Sequence, residues 1–364
     1  MTTDAALGPQ PIDVGAKLKV IGVGGGGCNA VKRMYQEDLK GIQLIAINTD
    51  VKALLMSNVP NRIQIGSKLT RGLGAGADPK VGRQAAEESR DEIAESLRGA
   101  DMIFLAAGMG GGTGTGAMPL VAEVAKETGA LTVAICTLPF SFEGAKRRSQ
   151  AMEGLNQLRE KVDTLITVSN DKLLATCSKK VTVDVAFKMA DDVLLQAVAS
   201  ISDLITLPGE INVDFADVRT IMAHGGASIM AIGRGSGESR ALEAARAAIQ
   251  NPLLDLSLDG AKGALVNITG GGDLTLSEVN AAMDIISKAV DPDAHIIFGV
   301  VHNPNMEKEV KITVIATGVS EVAQSVAAAQ RPENVSQLAV GMPHSNHDDV
   351  DIPTFLRRTR QRAV

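Results

Sequence analysis

Three glycine-rich segments are the parts of this chain best suited to holding phosphate groups. Residues 22–27 and 108–116 each follow an apolar run and precede a stretch of helical composition. Glycine lets backbone N–H groups approach a phosphate closely, and the N-terminus of a helix attracts negative charge. Thr113 and Thr115 add hydroxyl donors to the second segment, and the third segment, 72–77, could close over a terminal phosphate.

The first segment alone leaves several kinds of site open. It satisfies the G-x-G-x-x-G pattern, and Asp50 ends the next predicted strand, as in a dinucleotide-binding dehydrogenase. Another phosphate site or a tight structural turn would also fit. The second segment favours a longer phosphate chain, because a dehydrogenase has no need of it. An NAD-dependent dehydrogenase and a nucleotide-binding scaffold that does not hydrolyse remain as alternatives.

An acidic motif, NVDFADV at 212–218, is the second candidate for chemistry. Asp214 and Asp217 could be the N-cap and a first-turn acid of the helix that follows. They could also orient an attacking water in phosphoryl transfer, with Asn212 beside them. The five histidines lack metal-ligand spacing, so we predict no metal site built from side chains.

The elements around these motifs alternate between short apolar strands and helices, which is typical of a parallel sheet covered on both faces. We predict an α/β fold with a Rossmann-like nucleotide domain at 17–184, a long central helix at 185–207, and a smaller α/β domain at 208–318. The remaining predicted segments are a disordered arm at 1–16, a flexible linker at 319–350 and a partner-binding peptide at 351–364.

Composition excludes several classes of protein. The formal charge is −6 over 364 residues and only eight residues are aromatic, which argues against a nucleic-acid binder with a basic face or a base-stacking platform. Neither a signal peptide nor an apolar run long enough for a membrane span occurs, so we predict no direct membrane insertion. The three cysteines contain no C-x-x-C pair and indicate a reducing cytoplasm.

Six motifs together carry a family resemblance. The segment GGGTGTG at 110–116 resembles the tubulin signature, which archaeal and plasmid relatives share. The other five are GGGGCNAV (24–31), INTD (47–50), GLGAGADP (72–79), PFSFEG (139–144) and NVDFADV (212–218). With them, residues 17–318 resemble the FtsZ family, the bacterial tubulin homologues of cell division. The ending DIPTFLRR resembles that family's terminal peptide.

The resemblance implies a GTPase that binds GTP or GDP, with Mg²⁺ held mainly by the phosphates and water. It implies that residues 75–77 approach the γ-phosphate, that Glu143 takes a ribose hydroxyl, and that Arg147 lies near the phosphates. The full set implied for phosphates and sugar is Gly25, Gly26, Asn29, Ala75, Gly76, Ala77, Gly111, Gly112, Thr113, Gly114, Glu143 and Arg147. The set implied for guanine is Asn170, Phe187 and Asp191. A carboxylate there could accept from guanine N1–H and its 2-amino group, a donor pair that adenine lacks.

The resemblance also implies an assembly. Asn212, Asp214 and Asp217 would project from the far end of one subunit into the nucleotide site of the next, giving a head-to-tail filament. Residues 351–358 would bind division proteins such as FtsA-like membrane tethers. The expected location is the cytoplasm, at the division site at midcell.

Overall fold

A computed structural model describes residues 15–175, 181–207, 209–223, 227–251, 258, 260–304 and 306–319. The predicted linker and terminal peptide, apart from Val319, and nearly all of the predicted N-terminal arm therefore lie outside the described residues. None of the described helices is long and apolar enough to cross a membrane.

Ten strands form one sheet in the order β3-β2-β1-β4-β5-β6-β7-β10-β8-β9. The strands are β1 (Leu18–Val23), β2 (Ile42–Asn48), β3 (Asn61–Gln64), β4 (Met102–Gly108), β5 (Leu131–Leu138), β6 (Thr164–Ser169), β7 (Ala227–Ser236), β8 (Gly263–Gly270), β9 (His295–His302) and β10 (Glu309–Thr317). The first six pair in parallel, as the buried apolar runs predict for a sheet with helices on both faces.

Twelve α-helices accompany the sheet in the described residues. They are α1 (Gly24–Gln36), α2 (Val51–Ser57), α3 (Ser67–Thr70), α4 (Pro79–Glu88), α5 (Arg90–Leu97), α6 (Gly112–Glu127), α7 (Ala145–Arg159), α8 (Asn170–Ala175), α9 (Val183–Thr206), α10 (Phe215–Met222), α11 (Arg240–Ile249) and α12 (Leu276–Ser287). The charged stretch at 81–97 is divided at Ser89, which is the C-cap of α4 and the N-cap of α5.

The strands of the predicted smaller domain continue the sheet of the nucleotide domain. Strands β6 and β7 pair in parallel through Leu165 opposite Ala227 and Ile166 opposite Ser228. Beyond this junction β10 pairs antiparallel with both β7 and β8. A two-residue junction leaves no signature in sequence periodicity, because each strand has the same alternation whether or not it has that neighbour.

Helix α9 is the long helix that the sequence predicts between the two halves. Its first turn is capped by Thr182, whose hydroxyl accepts from the Val185 amide. Side chains along it enter a core shared by both halves of the sheet, including Val193, Leu194 and Ile201. A helix buried over so much of its circumference holds its two ends in a fixed relation to the sheet.

Candidate active site

The first two glycine-rich segments meet at the carboxyl edge of the parallel strands. Strands β1 and β4 are neighbours, and the order of strands along the chain reverses between them, which is where ligands bind in open α/β sheets. A Cβ atom built on Gly24 would stand 2.6 Å from the Gly114 nitrogen, and one on Gly26 would stand 3.1 Å from the Gly108 nitrogen. The two loops therefore approach backbone to backbone, which requires glycine.

Three other glycines face open space. A Cβ built on Gly25, Gly76 or Gly111 would meet no protein atom within 4 Å, and each of these residues belongs to a different glycine-rich loop. Helices α1 and α6 also begin without a side-chain cap, so no side chain satisfies their first-turn N–H groups. Open glycines beside uncapped helix N-termini form a cradle with the polarity that a phosphate chain needs.

The threonine hydroxyls of the second loop have partners within the protein. The Thr115 hydroxyl accepts from the Gly110 amide at 2.8 Å, and the Thr113 hydroxyl lies 2.7 Å from that of Thr49. Both threonines are buried. The Thr115 oxygen thus helps to hold the loop in shape, while its own O–H remains able to donate. Thr49, the third residue of the INTD motif, was not among the site residues predicted from the sequence.

The third loop is held in an unusual backbone conformation. Positive φ angles occur at Arg71, Gly72, Gly74, Gly76 and Ala77. Arg71 and Ala77 are not glycines, and the φ of Ala77 is 61°. Two contacts restrain this segment. The Ala77 carbonyl accepts from Gln150 of α7 at 3.4 Å, and Ala75 packs against the start of α6, where a Cβ on Gly112 would lie 2.8 Å from its own. The loop is thus fixed beside the phosphate cradle.

A cavity of about 480 Å³ joins this loop to the start of α7. Glu143 and Arg147 both line it and form an ion pair with each other. The second oxygen of Glu143 accepts from the Phe140 amide at 2.9 Å, which fixes the loop after β5. The structure therefore brings Gly76, Ala77, Glu143 and Arg147 together, and couples Glu143 to Arg147 in a way that the motif alone did not indicate.

Asp171 anchors the same loop from α8. Its carboxylate accepts from the Ser141 amide at 2.8 Å and from the Ser141 hydroxyl at 2.6 Å, and pairs with Arg148 at 3.3 Å. Partial burial opposes ionisation, but these hydrogen bonds and the Arg148 charge prevail and lower the pKa of Asp171. Sequence reasoning missed Asp171. Its one signal was its position directly after Asn170.

Aromatic rings and an unpartnered amide mark the expected guanine side. Phe187 of α9 makes an edge contact with Phe140 at 5.3 Å, and Phe140 stacks on the exposed Phe142 at 5.0 Å. Asn170 is buried, and its Oδ1 atom has no hydrogen-bond partner in the described structure. A buried amide oxygen without a partner is costly, so this atom has an open position for a donor from water or a ligand.

Asp191 lies one helical turn after Phe187 and shares its face of α9. Burial raises the pKa of Asp191 to about 7, and neighbouring Asp192 adds to the shift while Arg33 opposes it. Arg33 of α1 pairs with Asp192 at 2.5 Å and donates to the Lys188 carbonyl at 3.3 Å, which joins α1 to α9. Asn29, one turn before Arg33, is exposed on the same face of α1. The Asp191 carboxyl, which is largely removed from water, can form hydrogen bonds with a nucleobase.

The acidic pair, Asp214 and Asp217, is not engaged in helix capping. Asp214 occupies the N-cap position of α10, yet its side chain makes no capping hydrogen bond. Both carboxylates are exposed, and neither has a hydrogen bond or ion pair within the described residues. Asn212 differs, because its side-chain oxygen accepts from the Gly209 amide at 2.7 Å and shapes the preceding turn. The two acids are therefore free to interact with a group outside the subunit.

Three elements place the acidic pair at the opposite end of the subunit from the phosphate cradle. Helix α6 starts at the cradle, and its 16 residues span about 24 Å before Gly129, whose carbonyl accepts from Arg219 of α10. Asn170 follows the last residue of β6, while the first residue, Thr164, bonds to Met222 of α10. Phe187 and Asp191 lie near the start of the 24-residue α9, and α10 follows its end. One subunit alone cannot bring these acids to its own phosphate cradle.

Asp50, the second residue of the dehydrogenase alternative, has a structural role in this fold. Its Oδ1 atom accepts from the Lys52 amide at 2.8 Å and the Ala53 amide at 3.2 Å, and so caps α2.

Comparison with known proteins agrees with this geometry. Residues 17–178 match the profile described as "Tubulin/FtsZ family, GTPase domain", and residues 226–320 match "FtsZ family, C-terminal domain". An empty dimer of FtsZ from M. jannaschii is 46% identical, with a TM-score of 0.80, over 83% of this chain and 88% of that one. A single-site mutant of the same FtsZ is also 46% identical, with a TM-score of 0.81, over 84% and 92%.

A more distant structure has the same fold. CetZ2 from Haloferax volcanii, a protofilament bound to GTPγS, is 22% identical with a TM-score of 0.74, over 86% of this chain and 96% of that chain. The two family profiles and the 46% identity to FtsZ over most of both chains decide between these relatives. The chain belongs to the FtsZ branch of the tubulin/FtsZ family of GTPases.

Proposed function

We propose that this GTPase forms head-to-tail filaments and hydrolyses GTP where two subunits meet, as the polymer of a cell-division ring. The observation that supports this is the separation of the phosphate cradle from the acidic pair, Asp214 and Asp217, at opposite ends of one subunit. A contact that joins these two ends is heterologous and does not close, so it generates a filament. The dimeric state of the M. jannaschii relative is compatible with such a contact.

The roles of the residues follow from their surroundings. The amides at the starts of α1 and α6, with Gly25, Gly26 and residues 111–114, hold the phosphates by backbone hydrogen bonds and helix dipoles. Residues 75–77 lie at the γ-phosphate, with Arg147 beside them in the same cavity. Asn170, Phe187 and Asp191 hold the base, and Asn29 and Glu143 lie on the sugar side. Guanine donors would satisfy both the unpartnered Asn170 oxygen and the Asp191 carboxylate.

The acidic pair acts on the next subunit's GTP. Exposed, unpaired carboxylates can accept hydrogen bonds from a water and orient it for in-line attack on the γ-phosphate, with Asn212 fixing the turn that precedes them. Mg²⁺, when bound, neutralises charge on the phosphates. We expect the phosphates and water to hold it, because the described residues contain no cluster of three or more His, Cys, Asp or Glu side chains. Loss of the γ-phosphate then weakens the contact that enabled hydrolysis.

Concentration dependence tests this proposal. GTP turnover per subunit should rise with protein concentration above a threshold, in step with light scattering, because a lone subunit binds GTP without the acids it needs. The nucleotide-binding capacity per subunit should stay constant over the same range. Turnover per subunit that is constant across the assembly threshold would contradict hydrolysis at a shared site.

The cellular role extends the same proposal. We place the filament in the cytoplasm at midcell and assign attachment to residues 351–358, whose apolar Ile352, Phe355 and Leu356 precede four arginines. By family analogy their partners are FtsA-like membrane tethers. Deleting 351–364 should abolish binding to such a tether while GTP turnover stays within about twofold. Loss of both activities together would show that the tail belongs to the folded body.

A further inference from the structure

The short helix α10, which carries the acidic pair, is fastened at its C-terminal end. The last carbonyls of a helix have no partner within the helix and need one elsewhere. Here the Ile221 carbonyl accepts from the Thr317 hydroxyl at 3.1 Å, and the Met222 carbonyl accepts from the Thr164 hydroxyl. Both threonines are fully or almost fully buried, at 0% and 1% exposure.

The two threonines belong to different halves of the sheet. Thr164 is the first residue of β6 on the nucleotide side, and Thr317 is the last residue of β10 in the second half. Gly263 of β8 pairs with Thr317, and a Cβ there would lie 2.7 Å from the Thr317 hydroxyl and 3.3 Å from Ile221. Because Gly263 has no side chain, α10 can approach the Thr317 hydroxyl closely at this point.

A third bond joins α10 to the helix of the phosphate cradle. Arg219 donates to the Gly129 carbonyl at 2.9 Å, just beyond the end of α6, and its guanidinium lies 5.8 Å from the Phe215 ring centroid. At the opposite end of α10 the chain is held by the pairing of Ile211 with Val300 and by the buried Val213, while the side chains of Asp214 and Asp217 make no hydrogen bond or ion pair within the described residues. The acids do not fix the direction of α10 themselves, so the bonds at its C-terminal end contribute to their orientation.

We infer that Thr164 and Thr317 are positioning residues for GTP hydrolysis, because their hydroxyls set the orientation of α10 and with it the placement of Asp214 and Asp217 against the neighbouring subunit. This inference rests on the proposed function of the acidic pair. A helix of eight residues spans about 12 Å. A rotation about its C-terminal end therefore displaces the carboxylates at the other end by the rotation angle multiplied by that length. Displacements of about 1 Å can cost about a hundredfold in rate.

The test is a set of variants of the full-length protein that keep side-chain shape but remove or retain the hydroxyl. Thr164→Val, Thr317→Val and their combination remove it, while Thr164→Ser and Thr317→Ser retain it. Thr132→Val is the matched control, because Thr132 is equally buried and lies in the same region, but its hydroxyl bonds the Ala130 carbonyl at 3.2 Å rather than a carbonyl of α10. Each variant is measured for GTP affinity, for the assembled fraction by sedimentation, and for phosphate release per assembled subunit.

The valine variants should release phosphate per assembled subunit about tenfold more slowly, with GTP affinity and assembled fraction within about twofold of the unaltered protein. The serine variants and Thr132→Val should keep the normal rate. If the double valine variant does not fold, the single variants are read in its place. Normal phosphate release per assembled subunit in folded valine variants, or an equal loss in Thr132→Val, would overturn the inference.

A parallel Asp214→Ala variant separates this inference from the proposed function. If Asp214→Ala keeps the normal rate per assembled subunit, the role of the acidic pair fails and the threonine inference fails with it. If Asp214→Ala loses hydrolysis and the valine variants do not, only the positioning role is wrong.

Discussion

At the scale of single residues, Asp191 is the residue that we propose distinguishes guanine from adenine. Its carboxylate lies on the same face of α9 as Phe187, and the buried Asn170 oxygen of α8 lacks a partner in the described structure. Adenine offers no donor pair to such a carboxylate. We expect Asp191→Ala to weaken GTP binding by about 1.5–3 kcal/mol, typical of a hydrogen bond to a charged group, and to leave ATP binding nearly unchanged. Equilibrium titration with both nucleotides checks this, and equal affinity of the unaltered protein for ATP and GTP would refute the assignment.

The same residue predicts a pH dependence of binding. Burial raises the pKa of Asp191 to about 7 in the unliganded protein, so the group must lose its proton before it can accept from guanine. GTP affinity should therefore be constant above this pKa and fall by about tenfold per pH unit below it, as one proton competes with the ligand. Asp191→Asn provides the control. Its GTP affinity keeps the pH dependence that arises from the phosphates and loses the part that arises from the Asp191 proton. Parallel pH profiles for both proteins would contradict the assignment.

Protein stability should respond to the same proton with a defined sign. The folded pKa of Asp191 is raised above the unfolded value of 3.8, so its stabilising contribution is complete below pH 3.8 and is lost as the pH rises through about 7. Between pH 6 and pH 8 the unliganded protein should lose stability relative to Asp191→Asn in urea denaturation. An equal change in both proteins over that interval would show that Asp191 is not desolvated.

At the scale of elements, substitutions of two glycines on helices α1 and α6 distinguish effects on folding from effects on nucleotide binding. A Cβ on Gly25 would meet no protein atom within 4 Å, whereas a Cβ on Gly116 of α6 would lie 1.9 Å from the Pro79 carbonyl of α4. Gly25→Ala should therefore keep the unfolding midpoint and weaken nucleotide binding at least about tenfold, because the methyl group occupies the phosphate cradle.

Gly116→Ala is the matched variant and should behave in the opposite way. It should lower the free energy of unfolding by about 1–3 kcal/mol, as for an overpacked core. Urea denaturation and nucleotide titration of both variants check the pair. A destabilised Gly25→Ala protein with normal nucleotide affinity would contradict the assignment of the cradle.

The sequence was sufficient for features that depend on local pattern. Glycine clusters after apolar runs predicted the loops at the ends of β1 and β4, and the continuous apolar stretch after residue 185 predicted α9. Long-range contacts were beyond it. The anchoring of Ser141 by Asp171 and the bond from Arg219 to Gly129 join segments that lie 30 and 90 residues apart, through side-chain geometry.

At the scale of the whole molecule, the long elements determine which reaction one subunit can perform. Helices α6 and α9 and strand β6 each run from the nucleotide side toward α10, and they hold the acids away from their own cradle by roughly the length of α6, about 24 Å. The second half of the sheet continues the first through β6 and β7, so this separation is built into one continuous sheet. Under the proposed function, the subunit is complete for binding and incomplete for hydrolysis.

The most direct test of this account mixes the unaltered protein with Asp214→Ala at constant total concentration and records phosphate release per assembled subunit. If the acids act on the neighbouring GTP, each Asp214→Ala subunit stops hydrolysis in the cradle of one neighbour. Its own cradle still hydrolyses GTP when an unaltered neighbour supplies the acids. Cradles of the variant next to an unaltered subunit should then hydrolyse GTP at the normal rate, as single-turnover assays with labelled GTP preloaded on the variant would record. If the labelled GTP on Asp214→Ala subunits stays unhydrolysed at every mixing ratio while the filaments still form, the acids act within their own subunit and the account is wrong.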